Sequence, residues 1–193
     1  MAFSEVRVAL IGAGGIGRVH ALRYAKVRHA VLAAIVDIDV ERARALCAEV
    51  RGAPRAFASV DELLDARAVD AVDVCLPTWL HEEVVVRAAR AGLHVLCEKP
   101  MSLTLASARR MEAAVREAGI VYMTAFCRRY DNHWLTARAA LQRGAIGTPV
   151  VWRTAMAGRG GSQPWYVQKD KGGGPLIDGL IHNYDFARYT FGE

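Results

Sequence analysis

The fold is decided near the N-terminus by the stretch VRVALIGAGGIG, which covers residues 6–17. Its first half, Val6–Ile11, is an apolar run that predicts a buried strand, and a helical pattern follows the glycines to about Lys26. The glycines of a G-x-G-x-x-G pattern stand between the two elements: Gly12, Gly14 and Gly17. In a dinucleotide-binding fold they allow a tight turn, close approach of the backbone to the pyrophosphate, and close packing of the helix on the strand. The stretch therefore predicts a phosphate-binding turn, which also contains Gly15 and Ile16.

A carboxylate follows the second predicted strand at the spacing expected for a ribose ligand. Asp37 comes 20 residues after Gly17 and would accept hydrogen bonds from the adenosine ribose hydroxyls. A carboxylate there also repels a 2′-phosphate, which favours NAD over NADP. The alternative is an N-cap for the helix over 40–50, and Asp39 fits that cap better than Asp37 does. Arg42 could contact a 2′-phosphate, so NADP remains open.

Strands and helices alternate with short connections through the first two thirds of the chain. The elements that follow residue 50 are a short helix opened by Ser59, strands at 71–76, 93–97 and 120–126, and helices at 80–91 and 105–118. This order predicts an α/β domain with a doubly wound parallel sheet over residues 1–126. The pattern then changes to a helix at 131–143, a strand at 150–156 and a helical segment at 175–191. Residues 127–193 are therefore expected to form an incomplete α+β second domain.

The apolar run at 93–97 ends abruptly in Glu98-Lys99-Pro100. Ligands bind at the carboxyl ends of the strands of an open α/β sheet, so Lys99 is a candidate for chemistry. Proline cannot continue a strand ladder, and Pro100 would aim the lysine from a stiff turn. An ordinary strand end with a solvated lysine explains this tripeptide equally well.

Two polar residues interrupt the apolar C-terminal helical segment. Asp178 and His182 are four residues apart and would project from one face of a helix. A carboxylate one turn from an imidazole can set its tautomer and raise its basicity. By themselves, these two residues are more typical of an ordinary polar pair or a core histidine.

Composition narrows the class of protein. The net charge is +5 and the pI is about 9.2, but the arginines are scattered, which argues against nucleic-acid binding and suits an anionic cofactor. The cysteines, at positions 47, 75, 97 and 127, form no metal-binding pattern and are expected to be core residues in a reducing compartment, the cytoplasm. We expect no signal peptide, no membrane span and no metal.

Taken together, these motifs resemble the glucose–fructose oxidoreductase and inositol dehydrogenase family, Gfo/Idh/MocA, over essentially the whole chain. The residues that carry the resemblance are Gly12–Gly17, Asp37, Pro77 with His81, the run Ala91–Pro100, Arg129, Gly147-Thr148-Pro149, and Gly172–Asp178 leading to His182.

The resemblance implies an NAD-dependent dehydrogenase acting on a sugar, inositol or related polyol. It implies a cis Lys99–Pro100 peptide, with Lys99 contacting both the substrate hydroxyl and the nicotinamide ribose. His182 would be the general base, and Asp178 would orient the substrate or the base. The implied cofactor-binding residues are Gly12, Gly14, Gly15, Ile16, Gly17, Asp37, Pro77, Thr78, His81, Glu98, Lys99 and Arg129. Weaker candidates for the substrate pocket are Arg129, Trp152, Arg153 and Tyr166.

The chain also departs from the family pattern. Leu76 and Thr78 replace the small hydroxyl and asparagine often seen beside Pro77, on the nicotinamide side. Family members are usually much longer, and a full-length relative is expected to form a homo-oligomer. The strand at 150–156 would then have an unpaired edge. The alternative function is an inactive or truncated NAD(P)-binding module, acting as a nucleotide sensor or partner-binding protein.

Overall fold

The computed structural model describes residues 5–155 and 163–192. The chain divides into two compact units, Met1–Thr124 and Ala125–Glu193. Each unit is described by itself below. The domain division after residue 126 stays a prediction.

The first unit contains a parallel sheet of six strands in the order β3-β2-β1-β4-β5-β6. The strands are β1 (Val6–Ile11), β2 (Ala30–Val36), β3 (Arg55–Phe57), β4 (Ala71–Val74), β5 (His94–Cys97) and β6 (Tyr122–Thr124). Strand β1 pairs with β2 on one side and with β4 on the other, so the strand order reverses between β1 and β4. Such a reversal opens a crevice at the carboxyl ends of the two strands, where ligands of this fold class bind. The doubly wound sheet predicted from the sequence is confirmed, although β3 was missed.

Helices cover both faces of this sheet. They are α1 (Gly15–Tyr24), α2 (Val40–Glu49), α3 (Val60–Ala66), α4 (His81–Arg90) and α5 (Leu105–Ala118). Leu10 of β1 packs in one buried cluster with residues of α1 and α2, whereas Ile11 packs in another with residues of α3, α4 and α5. Successive side chains of a strand point to opposite faces, so these two clusters are the two apolar layers of the unit.

The cysteines test the expectation that all four are core residues. Cys75 and Cys97 are buried in these layers, and Cys47 is half-buried. The expectation is wrong for Cys127, which is exposed. Cys127 begins a short 3₁₀ turn in the second unit, outside the sheet whose faces bury the others.

The second unit is helical in the part that the structure describes. Its elements are the 3₁₀ turns Cys127–Tyr130 and Pro164–Val167, helices α6 (Asn132–Gln142), α7 (Lys169–Gly172) and α8 (Ile181–Phe191), and a π-helical turn, Pro175–Gly179. Aromatic rings hold it together: Phe186 of α8 is fully buried and packs against Trp134 of α6 at 4.4 Å between ring centres. No described helix of either unit is both long and apolar enough to cross a membrane.

The strand predicted over 150–156 is wrong for residues 150–155, and Met156 lies outside the described residues. A strand exists only where a neighbouring segment completes its hydrogen-bond ladder, and residues 150–155 have none among the described parts of the chain. Val150 is 90% exposed. Trp152 instead packs against Phe186 and Phe191.

Backbone packing requires two of the glycines. Gly12 has a left-handed φ of 101°, and a Cβ there would lie 2.6 Å from the carbonyl oxygen of Cys75. A Cβ on Gly17 would lie 1.8 Å from the carbonyl oxygen of Gly12. Both neighbours are backbone atoms that cannot rotate away, so α1 can approach β1 only if residue 17 has no side chain.

We therefore expect Gly17→Ala to lower the free energy of unfolding by about 3 kcal/mol or more, because backbone must move to admit one methyl group. Gly15→Ala is the matched control on the same helix, where a Cβ meets nothing within 4 Å. The control should stay within about 0.5 kcal/mol of wild type. Urea unfolding followed by circular dichroism measures both, and equal stabilities of the two variants would contradict the packing described here.

Candidate functional site

The N-terminus of α1 is open where the glycine turn ends. Gly14 is the N-cap residue, and a Cβ at Gly14 or Gly15 would meet nothing within 4 Å. The first backbone N–H groups of a helix lack partners inside the helix and carry partial positive charge. The open approach and these N–H groups together suit the phosphates of a dinucleotide.

Asp37 ties this turn to the end of β2. One carboxylate oxygen accepts a hydrogen bond from the Ala13 N–H at 2.8 Å, and the other accepts one from the Asp39 N–H at 2.9 Å. The side chain is buried, and Arg42 approaches it at 3.3 Å. A carboxylate has about four acceptor positions, and the two backbone N–H groups take two of them. Arg42 Nη1 approaches both oxygens, at 3.3 and 3.5 Å, so ribose hydroxyls would bind at the other two positions only if Arg42 moved aside. Asp37 thus has a structural task that the spacing from Gly17 did not reveal.

Arg42 is held by two carboxylates. Its guanidinium lies 3.3 Å from Asp37 and 3.2 Å from Asp39, and half of the side chain is exposed. Asp39 is also the N-cap of α2, where its side chain accepts a hydrogen bond from the Arg42 N–H. Asp39 therefore fills the capping role, as its position favoured, and Asp37 is left facing the glycine turn.

Two buried side chains hold the segment after β4 in place. Thr78 is buried at the start of the 3₁₀ turn Thr78–Leu80. His81 is fully buried, with Nδ1 3.0 Å from the Pro100 carbonyl oxygen and Nε2 2.8 Å from the Leu76 carbonyl oxygen. Burial lowers the pKa of His81, although the hydrogen bonds to the backbone carbonyls oppose that shift. His81 therefore joins the loops after β4 and β5, and the cofactor contact expected of it stays a prediction.

The turn after β5 lies at the same edge of the sheet. The Lys99–Pro100 peptide is cis, which confirms that expectation. The Glu98 N–H donates to the Val74 carbonyl of β4 at 2.9 Å, so the start of the turn continues the pairing of the two strands. Because the strands are parallel, their carboxyl ends meet at one edge. The structure therefore brings the glycine turn, Asp37, Pro77, Thr78, Glu98 and Lys99 to that edge of the first unit.

A polar cluster beside this edge was missed by sequence reasoning. His20 of α1 lies with Nδ1 3.0 Å from the Asp73 carboxylate and Nε2 3.1 Å from the Glu98 carboxylate. Tyr24, one turn further along α1, donates its hydroxyl to Asp73 at 3.0 Å, and Cys75 Sγ lies 3.3 Å from His20 Nδ1. The one signal in the sequence is an aspartate inside an otherwise apolar strand, since Asp73 is almost completely buried in β4.

The two carboxylates decide the charge of this cluster. Burial by itself would lower the pKa of His20, but the hydrogen bonds to Asp73, Cys75 and Glu98 outweigh it and raise that pKa to about 12. Burial raises the pKa of the Cys75 thiol to about 12. Burial also opposes ionisation of Glu98, yet the bond to His20 keeps the pKa of that carboxyl below its usual value. The ring is therefore a half-buried imidazolium between two carboxylates.

The same groups offer ligand atoms of the kinds that bind metals. Atoms of His20, Asp73 and Cys75 lie within 4.8 Å of one another. A metal would have to displace the proton on His20 Nδ1 and ionise the buried thiol. The ring already donates to a carboxylate at each nitrogen, so we interpret the cluster as an ion-pair network.

The candidate acid–base residues lie in the second unit. Asp178 is buried within the π-helical turn, where the Tyr166 hydroxyl donates to its carboxylate. His182 lies in the first turn of α8, and its ring meets Phe126 edge to face with ring centres 6.4 Å apart. The two residues occupy consecutive helical elements, because the π turn ends at Gly179 and α8 begins at Ile181. Their catalytic roles stay predictions.

Arg129 also lies in the second unit and is engaged there. Its guanidinium makes two hydrogen bonds to Asp185, of 2.8 and 2.5 Å. It lies over the rings of Phe126 and Tyr189, at 5.5 and 4.9 Å from the ring centres. These residues and Arg188 line a cavity of about 250 Å³. The cofactor contact expected of Arg129 stays a prediction.

Comparison with known proteins places the chain among oxidoreductases. A model described as an oxidoreductase family with an NAD-binding Rossmann fold matches residues 6–126, and the GFO/IDH/MocA C-terminal domain matches residues 134–193. The myo-inositol 2-dehydrogenase of Thermotoga maritima is 37% identical over 188 residues, which are 97% of this chain and 55% of that protein. The D-glucoside 3-dehydrogenase of Escherichia coli is 36% identical over 196 residues, covering 100% of this chain and 56% of the relative.

A solved structure agrees with this. GenD2 from gentamicin A biosynthesis, solved in complex with NAD, superposes with a TM-score of 0.85 at 28% identity, over 98% of this chain and 54% of that one. The chain thus spans about half the length of the curated relatives it matches.

From the charge of His20 we predict how the free energy of unfolding depends on pH. Both states of the protein hold the His20 proton below the ring's ordinary pKa of 6.5, so the contribution of His20 is complete there. Above pH 6.5 only the folded state keeps the proton, and the contribution falls by about 1.4 kcal/mol per pH unit until the folded pKa is reached. Near pH 6 we expect His20→Gln to cost about 3–5 kcal/mol, because it leaves the buried Asp73 and the half-buried Glu98 without a cation.

Urea unfolding of wild type and His20→Gln between pH 6 and 9 measures this dependence. The stability difference should shrink as the pH rises. His133→Gln, at an exposed position on α6, serves as the control and should differ little from wild type. A difference for His20→Gln that is constant with pH would show that the ring is not charged in the folded protein.

Proposed function

The chain belongs to the Gfo/Idh/MocA oxidoreductase family, and we propose that it acts as an NAD-dependent dehydrogenase on the hydroxyl of a sugar, inositol or related polyol. Family membership establishes an NAD-binding Rossmann fold and a general oxidoreductase class. The observation that carries the proposal is the Glu98-Lys99-Pro100 turn, which lies at the same carboxyl edge of the sheet as the glycine turn. An ammonium group at that edge is suited to bind a substrate oxygen beside the cofactor.

The residues of the first unit fit NAD. The open N-terminus of α1 accepts the phosphates, and Asp37 offers acceptor positions to the ribose hydroxyls. Its negative charge, together with Arg42 being held by Asp37 and Asp39, favours NAD over a cofactor with a 2′-phosphate. NADP is the less favoured alternative.

The proposed chemistry separates hydride transfer from proton transfer. NAD⁺, when bound, supplies the hydride acceptor. His182 takes the proton of the substrate hydroxyl at a ring nitrogen, and Asp178 orients the base or the substrate. The charged amine of Lys99 is suited to stabilise the negative charge that develops on a substrate oxygen as the proton leaves.

Relatives support the substrate class, since they are named for activity on inositol and on glucosides. We propose a small polyhydroxylated molecule as the partner and the cytoplasm as the compartment. A homo-oligomer is expected for the full-length relatives. Within the class, the identity of the sugar or polyol is a matter for a substrate screen.

Replacing Lys99 tests this proposal. We expect Lys99→Ala to reduce turnover of any polyol substrate by at least about 100-fold, because one preorganised charge at the reacting oxygen is lost. The affinity for NAD should change by no more than about threefold. The measurements are NADH formation by absorbance and NAD binding by calorimetry, with Lys26→Ala, an exposed lysine after α1, as the control.

Full activity of Lys99→Ala would eliminate the proposed role of the amine. Wild-type protein that binds NAD but turns over no sugar, inositol or polyol would favour the alternative, an inactive NAD(P)-binding module.

Cofactor preference gives a separate test of Asp37. We expect Asp37→Ala to weaken NAD binding by about tenfold more than NADP binding, since the ribose acceptor is lost and Arg42 is released toward a 2′-phosphate. Adding Arg42→Gln should remove the relative gain for NADP. Calorimetric titration with both cofactors measures the ratio, and an unchanged ratio in Asp37→Ala would exclude Asp37 from the ribose site.

A further inference from the structure

The backbone of Lys99 is held by the side chain of the residue before it. One Glu98 carboxylate oxygen accepts the Lys99 N–H at 3.0 Å, and the Glu98 N–H binds the Val74 carbonyl of β4. The Glu98 side chain is only 14% exposed. The position of the Lys99 backbone therefore depends on where this carboxylate is held.

The other oxygen of Glu98 is held by His20. The distance from its Oε1 to His20 Nε2 is 3.1 Å, and the two residues are 78 positions apart in sequence. No local feature of the turn after β5 provides this contact. It comes from α1, the helix whose N-terminus opens beside the glycine turn.

Asp73 holds the other side of the His20 ring. Its Nδ1 lies 3.0 Å from Asp73, and Asp73 also accepts the Tyr24 hydroxyl at 3.0 Å. Asp73 is 1% exposed, so it is a rigid anchor rather than a solvated carboxylate. With both ring nitrogens bound, rotation of the imidazole would break two charge-assisted hydrogen bonds.

We propose that His20 is a positioning residue for Lys99: its ring links Asp73 to Glu98 and so fixes the carboxylate that holds the Lys99 amide. This inference rests on the proposed function, in which the Lys99 amine binds the substrate oxygen. Misplacing a reacting group by about 1 Å can cost about 100-fold in rate, so a distant contact of this kind matters for catalysis. The same ring joins the helix that faces the cofactor phosphates to the turn that carries Lys99, so both parts of the site share one anchor.

The test is a double-variant cycle read at the Lys99 amide. His20→Gln, Glu98→Gln and the double variant are labelled with ¹⁵N, and exchange of the Lys99 amide hydrogen is followed by NMR. We expect each single variant to raise the exchange rate at least about tenfold, because the carboxylate no longer holds the amide in place. The double variant should exchange no faster than Glu98→Gln alone, since both changes remove one linkage. His133→Gln, the exposed control, should exchange at the wild-type rate.

Kinetics provide the second measurement. For His20→Gln we expect kcat to fall about 10- to 100-fold while the Kd for NAD stays within about threefold. If His20→Gln does not fold, Asp73→Asn replaces it. This variant weakens the hydrogen bond to His20 Nδ1 and should also raise the exchange rate of the Lys99 amide.

An unchanged Lys99 amide in a folded His20→Gln or Asp73→Asn protein would overturn the inference, and so would additive effects in the cycle. A lower melting temperature with unchanged kcat would show that His20 serves stability alone, which also overturns it. The amide measurement needs no turnover, so it separates this inference from the proposed function. Full activity of Lys99→Ala would remove the catalytic role of Lys99 but leave the positioning result standing.

Discussion

The close approach of α1 to the glycine turn sets the geometry of the first unit. A single carbon added at Gly17 would come within 1.8 Å of the Gly12 carbonyl oxygen, so this helix and β1 lie as near as two pieces of backbone can. That proximity directs the N-terminus of α1 to the carboxyl edge of the sheet, where the strand order reverses between β1 and β4. It also places His20, three residues further along the same helix, against Asp73 and Glu98. The open N-terminus of α1 and the polar cluster are thus two consequences of one packing contact.

The cluster shows how the charge of His20 can be maintained, largely out of water, at the carboxyl edge of the sheet. Removing an imidazolium from water is costly, and a single carboxylate would compensate only in part. Here the ring meets a carboxylate at each nitrogen, and the second of these, Glu98, holds the backbone of Lys99. The network costs free energy of desolvation and in return fixes the orientation of the Lys99 backbone, as is expected where a group must be positioned for chemistry.

Local rules were enough to find most of the first unit. The range predicted for α5 agrees with the structure because Thr104 caps its start and Gly119 adopts the left-handed conformation at its end. Asp39 was recognised as the cap of α2 for the same reason. The strand β3 was missed because three residues carry too little pattern, and it forms only by pairing with β2. The strand expected at 150–156 failed over 150–155, since pairing depends on neighbours that a local pattern cannot supply.

In the candidate site, too, only the residues marked by a local sequence pattern could be predicted. The glycine turn and Asp37 were visible from spacing, whereas the contacts of His20 join residues 53 and 78 positions apart, which no local pattern connects. The fully buried state of His81 was equally hidden, because it depends on carbonyls from two different loops.

The proposed function requires that NAD bind at the carboxyl edge of the first unit, with Lys99 beside it. An NMR titration of the ¹⁵N-labelled chain with NAD measures this directly. If NAD binds there, the amide signals of residues 12–17, Asp37, Glu98 and Lys99 shift together along one saturable binding curve. If these signals do not move when NAD is added, or if only signals of other residues move, NAD does not bind at this edge.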